Sequence, residues 1–277
     1  MRARQLTGAV AYHGEGPMWD AQTQRLLWVD LHAGDVLATS PDGDTTRTHV
    51  GEKAACVVPR VSGGYAVATA RGFTLLSADG TADVLPDVWD DATVRMNDGG
   101  CDPQGRFFCG SMANDAAAGR GAMYRLDADR SVTPVFANVT ISNGLGWSPD
   151  GTHAYYIDTP TQRIDLCAPD LSSRRPFVAI AAEVGSPDGL TVDAEGGVWV
   201  ALWDGHAVHR YSPEGQLDAV ISLPVAQVTS CAFGGDDLAT LFITTSAENL
   251  ATPEPEAGAL FAVNPGVRGL PTLTFAG

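Results

Sequence analysis

The chain has 277 residues, of which 44% are hydrophobic, and its formal net charge at neutral pH is −16. A chain of this length and composition can bury a large core, so intrinsic disorder is not expected. An acidic chain without clustered Lys and Arg is unsuited to nucleic-acid phosphates, and the lack of an 18-residue apolar run argues against a membrane span.

Turn-forming residues are abundant, with 31 glycines and 17 prolines, and this favours many short strands over long helices. The N-terminal stretch MRARQLTGAVAYHGEG lacks the apolar segment and cleavage site of a secretion signal, so we expect a cytoplasmic location. The five cysteines are odd in number and have no CxxC spacing. They are therefore expected to be reduced and mostly buried, rather than disulfide-bonded or bound to zinc.

Six similar segments follow one another along the chain. Each contains a small or polar residue, a short apolar strand, a turn rich in Asp, Pro or Gly, and a second strand that is often aromatic. In chain order they read GEGPMWDAQTQRLLWVD, ACVVPRVSGGYAVAT, MNDGGCDPQGRFFCGSM, SNGLGWSPDGTHAYYID, SPDGLTVDAEGGVWVAL and TSCAFGGDDLATLFITT. The equivalent positions near the start of each segment, which we call the anchors, are Glu15, Ala55, Asn97, Asn143, Asp188 and Ser230. Successive anchors are 40 to 46 residues apart, which is the length of a four-stranded propeller blade.

Most segments continue into a further hairpin, as in AVHRYSPEGQLDAVISL, which supplies the two outer strands of a blade. We therefore predict an all-β fold: a six-bladed β-propeller with four-stranded antiparallel blades around a central metal-containing channel. Six blades use the whole chain, so residues 1–277 are predicted to form a single domain. The segment before Glu15 is expected to pair with the C-terminal strands LFAVN and TLTFA, which closes the ring and covers exposed edges.

The anchors carry the first functional signal. The inner strand of each propeller blade lines the channel, so its first residue faces one mouth and the anchors converge there. Four of the six anchors are carboxylates or amides: Glu15, Asn97, Asn143 and Asp188. Two carboxylates and an amide from three blades make an oxygen-rich set of the kind that a hard divalent cation prefers. The alternative interpretation is that Asn and Asp at strand starts are ordinary turn formers. Two acidic groups in a narrow channel repel each other, however, unless a cation or proton separates them.

Four motifs carry a family resemblance. GEGPMWD, RMNDGGCDPQGRFFCGSM, ISNGLGWSPDG and SPDGLTVDAEGGVWVALWDG resemble, in this order, the signatures of the regucalcin/gluconolactonase/luciferin-regenerating enzyme family. The resemblance spans nearly the whole chain. It implies a six-bladed propeller that holds one divalent metal at the channel mouth and often acts as a sugar lactonase. By this resemblance Glu15, Asn143 and Asp188 are the metal ligands, and Asp188 is also the acid/base.

The resemblance also implies a substrate site. Arg95 and Asn97 match positions that hold the carbonyl and hydroxyl oxygens of the substrate, and Asp98 follows them as a supporting partner. Some members have an acidic substrate contact in the loop after GSM, and here the loop ANDAAAGRGAMYRL offers Asp115. Because Asp115 has a shorter reach than Glu, the sugar specificity stays open. Trp89 is a candidate for the pocket wall, and the loop TSAENLATPEPEAG is expected to form part of the rim.

These residues predict a metal-dependent hydrolase that opens a sugar lactone to the aldonic acid. Gluconolactone, xylonolactone and arabinolactone are the expected substrate types. The metal acts as Lewis acid, and either Asp188 or a hydroxide generated at the metal activates the attack. Oxygen ligands favour Ca²⁺, although such a site can also hold Mg²⁺, Mn²⁺, Fe²⁺ or Zn²⁺.

Two alternative functions remain. One is a calcium-binding or interaction propeller without lactonase activity, and the other is a hydrolase of different esters or organophosphates. The expected partner is a small sugar lactone rather than nucleic acid or a membrane. A monomer or weak homo-oligomer is expected.

Overall fold

The computed structural model describes residues 1–277 and contains six four-stranded antiparallel sheets. The first strand of each sheet contacts the first strand of the sheets before and after it, so these inner strands form a closed ring. This arrangement confirms the predicted six-bladed β-propeller.

Blades 1 to 3 follow the chain in simple order from the inner to the outer strand. Their strands are β2 Gly14–Asp20, β3 Arg25–Asp30, β4 Asp35–Thr39 and β5 Thr45–His49; β6 Ala54–Pro59, β7 Tyr65–Thr69, β8 Phe73–Leu76 and β9 Ala82–Val84; and β10 Val94–Cys101, β11 Phe107–Ala113, β12 Gly121–Leu126 and β13 Val132–Val139.

Blades 4 and 5 have the same order, whereas blade 6 takes its outer strand from the start of the chain. Their strands are β14 Ser142–Trp147, β15 Ala154–Asp158, β16 Arg163–Cys167 and β17 Arg174–Ala179; β18 Ser186–Val192, β19 Val198–Trp203, β20 Ala207–Tyr211 and β21 Leu217–Ser222; and β22 Val228–Gly234, β23 Thr240–Thr245, β24 Phe261–Val263 and β1 Arg4–Gln5. The helical segments are two 3₁₀ turns, Thr159–Thr161 and Ala182–Val184.

The hydrophobic core lies in layers between neighbouring blades. Trp19 of blade 1 stacks on Phe242 of blade 6 at 5.8 Å between ring centroids. Trp199 of blade 5 meets Phe233 of blade 6 edge-on at 5.9 Å. Such aromatic pairs add to the free energy gained from area burial. These tryptophans therefore hold neighbouring blades together.

Both ends of the chain fasten the ring, but in different places. Strand β1 pairs with β24, with Arg4 opposite Ala262, as predicted for the segment LFAVN. The prediction for TLTFA is wrong, because Phe275 bridges to Arg60 of blade 2 instead of joining blade 6. Phe275 is fully buried in the apolar layer between blades 2 and 3, where its ring lies 6.5 Å from that of Phe107. Burial of this aromatic ring explains the change of partner.

All five cysteines are buried and unpaired, as predicted. None of the helical segments has the length and hydrophobicity needed to cross a membrane.

Candidate functional site

In all six blades the pairing between the inner strand and the second strand contains an irregularity. The irregularity lies at the anchor end of the inner strand each time. The irregularities fall between Glu15 and Met18, Ala54 and Cys56, Met96 and Gly99, Asn143 and Leu145, Pro187 and Leu190, and Val228 and Ser230. A bulge bends a strand and changes the direction of its side chains. The six bulges therefore account for the convergence of the anchors at one channel mouth.

Glu15, Asn143 and Asp188 are buried together at this mouth. The Nδ2 atom of Asn143 donates to Thr159 Oγ1 at 2.9 Å, which leaves the amide oxygen facing the site. Asp188 Oδ1 is buried and has no hydrogen-bond partner. A buried carboxylate oxygen without a donor is costly, and a cation bound beside it removes that cost.

The carboxylates of the site oppose one another's ionisation. Burial, with a contribution from the charge of Asp98, raises the pKa of Glu15 to about 8. Burial raises the pKa of Asp188 well above its usual range, and the charges of Glu15 and Asp98 raise it further. Burial also raises the pKa of Asp98 to about 6. This crowding, together with the unpartnered Asp188 oxygen, fits a hard divalent cation held by Glu15, Asn143 and Asp188.

Arg95 and Asn97 lie beside this group on β10. Arg95 Nη1 donates to Asn97 Oδ1 at 2.6 Å and to the carbonyl oxygen of Met96 at 3.0 Å. The amide of Asn97 donates to the carbonyl oxygen of Ser142 at 2.9 Å and lies 3.4 Å from Asn143 Oδ1. Both side chains are therefore fixed in place and joined to the ligand set.

The guanidinium of Arg95 still has donors to offer a bound molecule. Nε and Nη2 make no hydrogen bond, and no carboxylate oxygen lies within 4.0 Å of them. Burial lowers the pKa of Arg95, whereas the charges of Glu248, Glu15 and Asp188 oppose that change. Arg95 is thus a buried cation that faces carboxylates across a gap.

Three other predicted residues have clear positions. Asp98 is buried, and its Oδ1 accepts the backbone N–H of Gly99 at 2.7 Å. Asp115 is exposed, and its one hydrogen bond comes from the backbone N–H of Ala117 at 3.1 Å. Contact between Asp115 and a substrate stays a prediction. Trp89 stacks on Tyr124 at 4.9 Å and so packs on blade 3.

The sequence reasoning missed a second polar group at the mouth, formed by His13, His32 and Glu248. His13 Nε2 lies 3.9 Å from Glu15 Oε1, and burial lowers the pKa of His13 to about 3. His32 Nε2 lies 2.6 Å from Glu248 Oε1. His13 had a usable signal, because residues two positions apart on a strand share a face. Glu248 lies in the loop TSAENLATPEPEAG, which is expected to form part of the rim, but no pattern singles out this acid among the others of the loop. His32 lies in a turn that no periodic pattern connects to that loop.

A glycine follows each of the three candidate ligands. At Gly144 an added Cβ would lie 2.7 Å from the carbonyl oxygen of Asp188, and at Gly189 it would collide with the Ser230 side chain. The inner strands of neighbouring blades approach closely at these points. The dipeptides Asn-Gly and Asp-Gly therefore reflect packing as well as chemistry.

A cavity of about 410 Å³ lies in the channel beyond the candidate ligands. It is lined mainly by later residues of the inner strands, and the C-terminal segment 270–273 lies against it. Of the polar residues at the mouth, Asp98 and the anchor Ser230 reach its wall. We assign the chemistry to the mouth, because the polar side chains and the unpartnered oxygen are there.

Comparison with known proteins finds relatives along nearly the whole chain. The model of the "SMP-30/Gluconolactonase/LRE-like region" matches residues 13–247. Regucalcin of Danio rerio is 36% identical over 284 residues, which cover 95% of each chain. The crystal structure of a calcium-binding protein, regucalcin, from Agrobacterium tumefaciens has a TM-score of 0.92 at 27% identity, covering 99% of this chain and 97% of that one. A gluconolactonase from Xanthomonas campestris has a TM-score of 0.75 at 26% identity, covering 94% and 89%.

Proposed function

Because the chain belongs to the SMP-30/gluconolactonase/LRE-like family, we propose that it is a metal-dependent hydrolase that opens a sugar lactone to the aldonic acid. The observation that carries the proposal is the unpartnered, buried Asp188 oxygen beside Glu15 and Asn143. The gluconolactonase of Xanthomonas campestris supports the substrate class, since it has the same fold at 26% identity. The five unpaired cysteines support a cytoplasmic location.

Glu15, Asn143 and Asp188 would hold the divalent cation. Their oxygen donors favour Ca²⁺, and Mg²⁺, Mn²⁺, Fe²⁺ and Zn²⁺ are the alternatives for turnover. When bound, such an ion supplies Lewis acidity toward the lactone carbonyl. The calcium-binding regucalcin of Agrobacterium tumefaciens supports Ca²⁺ as the first ion to test.

The side chains on β10 orient the substrate. Arg95 donates from Nε and Nη2 to the carbonyl oxygen, where negative charge develops during attack. Asn97 Oδ1 is held by Arg95 Nη1, and its second lone pair accepts a hydrogen bond from an adjacent hydroxyl. Because these side chains are buried and already hydrogen-bonded, little reorganisation is needed on binding.

Asp188 moves the proton. It takes a proton from the attacking water as the water oxygen bonds to the carbonyl carbon. It returns that proton to the ring oxygen when the carbon–oxygen bond of the ring breaks, which gives the open hydroxy acid. Asp188 stays ionised beside a bound cation, as accepting a proton from water requires, whereas burial and the neighbouring carboxylates raise its pKa and so make it a stronger base.

Acid release from gluconolactone, xylonolactone and arabinolactone tests the proposal. We expect turnover that a chelator abolishes and that added metal restores. Asp188→Ala should lower kcat/KM by at least about a hundredfold, the scale of a lost acid/base group. Asp42→Ala, which removes an exposed carboxylate, should leave it unchanged. Turnover that resists the chelator contradicts the metal mechanism. Absence of turnover on every lactone favours a calcium-binding or interaction propeller, or a hydrolase of other esters.

A further inference from the structure

Within the second polar group, Glu248 lies across the channel from the substrate-orienting side chains. Glu248 is in the loop after β23 of blade 6, whereas Arg95 and Asn97 are on blade 3. In a ring of six, blades 3 and 6 are opposite each other. A molecule held at one end by Arg95 therefore presents its other end to the side of the channel on which Glu248 lies.

The orientation of the Glu248 carboxylate is fixed by a chain of hydrogen bonds. The Lys53 ammonium lies 3.2 Å from His32 Nδ1, and since an ammonium only donates, Nδ1 accepts. The ring hydrogen is then on Nε2, which donates to Glu248 Oε1 at 2.6 Å. Ser246 Oγ also accepts the backbone N–H of Glu248 at 2.9 Å.

This chain of bonds argues against a metal ion within the second group. His13, His32 and Glu248 have ligand atoms within 4.8 Å of one another, as a metal site would require. A metal ligand must offer a lone pair, however, and Lys53 directs the hydrogen of His32 to the nitrogen that faces Glu248. The hydrogen bonds define a carboxylate acceptor instead.

One oxygen of Glu248 is free to bind a ligand. Oε1 is engaged by His32, whereas Oε2 makes no hydrogen bond and lies 3.7 Å from His13 Nδ1. The side chain keeps 21% of its surface exposed, so a molecule in the mouth can reach it. The hydrogen bond from His32 also lowers the pKa of Glu248 to about 2, so the carboxylate is ionised. An ionised carboxylate accepts hydrogen bonds and does not donate them.

We propose that Glu248 is a specificity residue that accepts a hydrogen bond from a hydroxyl at the end of the substrate that faces blade 6. This inference rests on the proposed lactonase function and narrows its substrate class. It selects neutral lactones that carry hydroxyl groups. Lactones with a phosphate or carboxylate at that end are rejected, because their charge would meet that of Glu248.

Binding and turnover test the residue separately. The binding probe is D-glucono-1,5-lactam, a neutral analogue with the hydroxyls of gluconolactone, measured by calorimetry in the presence of Ca²⁺. Glu248→Ala should weaken the Kd by about ten- to a hundredfold, the range for hydrogen bonds to charged groups. Turnover of gluconolactone should fall by a similar factor in kcat/KM, whereas δ-valerolactone, which has no hydroxyls, should be unaffected.

Two further variants show whether the effect of Glu248→Ala comes from lost substrate recognition, from impaired folding or from the change in net charge. Glu248→Gln keeps the shape and should raise kcat/KM for 6-phosphogluconolactone relative to gluconolactone. Glu52→Ala removes an exposed charge beside Lys53 and should change neither measurement.

The outcomes distinguish this inference from the proposed function. Lactam binding that depends on Glu248, without hydrolysis of any lactone, supports the hydroxyl site and contradicts the lactonase. Hydrolysis with lactam binding unchanged by Glu248→Ala overturns the specificity role alone. Equal losses on gluconolactone and δ-valerolactone, or no lactam binding by the unmodified protein, also overturn it.

Discussion

Removal of divalent metal with a chelator is expected to make the stability of the protein fall as the pH rises. In the folded, metal-free chain the pKa of Glu15 is about 8, against an ordinary value of 4.5. The folded chain therefore holds this proton more tightly than the unfolded chain does. Its contribution to stability is fully present below pH 4.5 and is lost as the pH rises through 8. The difference corresponds to about 5 kcal/mol in the free energy of unfolding.

Urea unfolding between about pH 5 and about pH 8, with EDTA or with excess Ca²⁺, measures this loss. Bound Ca²⁺ favours the ionised carboxylates, so the fall should nearly disappear in its presence. Glu15→Gln has no proton to lose and should flatten the slope of the EDTA series. Glu214→Gln, an exposed control, corrects for the general loss of negative charge. An EDTA series for Glu15→Gln as steep as that of the unmodified protein would refute the reasoning.

Three further predictions concern packing and substrate binding. Gly189→Ala should destabilise the protein by about 1–3 kcal/mol in urea unfolding, because its Cβ would collide with Ser230, whereas Gly8→Ala has open space and should stay within about 0.5 kcal/mol. Equal effects of the two changes would contradict the close approach of the inner strands. Arg95→Lys should lower kcat/KM for the lactone about tenfold or more with little change in urea midpoint, since an ammonium cannot reproduce the fixed guanidinium fork. Unchanged kinetics would remove Arg95 from the site. Asp115→Ala should raise KM about two- to tenfold at constant kcat, the effect of one modest hydrogen bond, and an unchanged KM would exclude a substrate contact.

Most of the fold can be predicted from the sequence, because each propeller blade repeats the same pattern of strands and turns. Equivalent anchors such as Asn143 and Asp188 occupy the same position in each repeat. Once one inner strand is identified, the repeat length therefore gives the positions of the other five. The bulges that turn these side chains to the mouth follow the same phase. The repeat therefore limits the candidate metal ligands to the polar anchors, and the resemblance to a known family selects Glu15, Asn143 and Asp188 among them.

The remaining features depend on contacts that no repeat encodes. Phe275 lies in a strand-like segment, yet its partner is decided by an apolar gap between blades 2 and 3. Glu248 comes from a loop between strands of blade 6, and its importance depends on His32, which is 216 residues away in the chain. Contacts between residues so far apart in the chain produce no regular spacing from which they could be predicted.

The pairing of β1 with β24 has a consequence for how the protein folds. Arg4 and Gln5 pair with Ala262 and Phe261, which lie at the far side of the sequence from them. Glu15 and Glu248, which face the same mouth, are separated in the same way. Blades 1 to 5 are each built from strands that are consecutive in the chain, whereas blade 6 needs contacts of very long range, so we expect ring closure to be a late step of folding. The mouth is therefore completed by the step that closes the ring and not by the formation of any single blade.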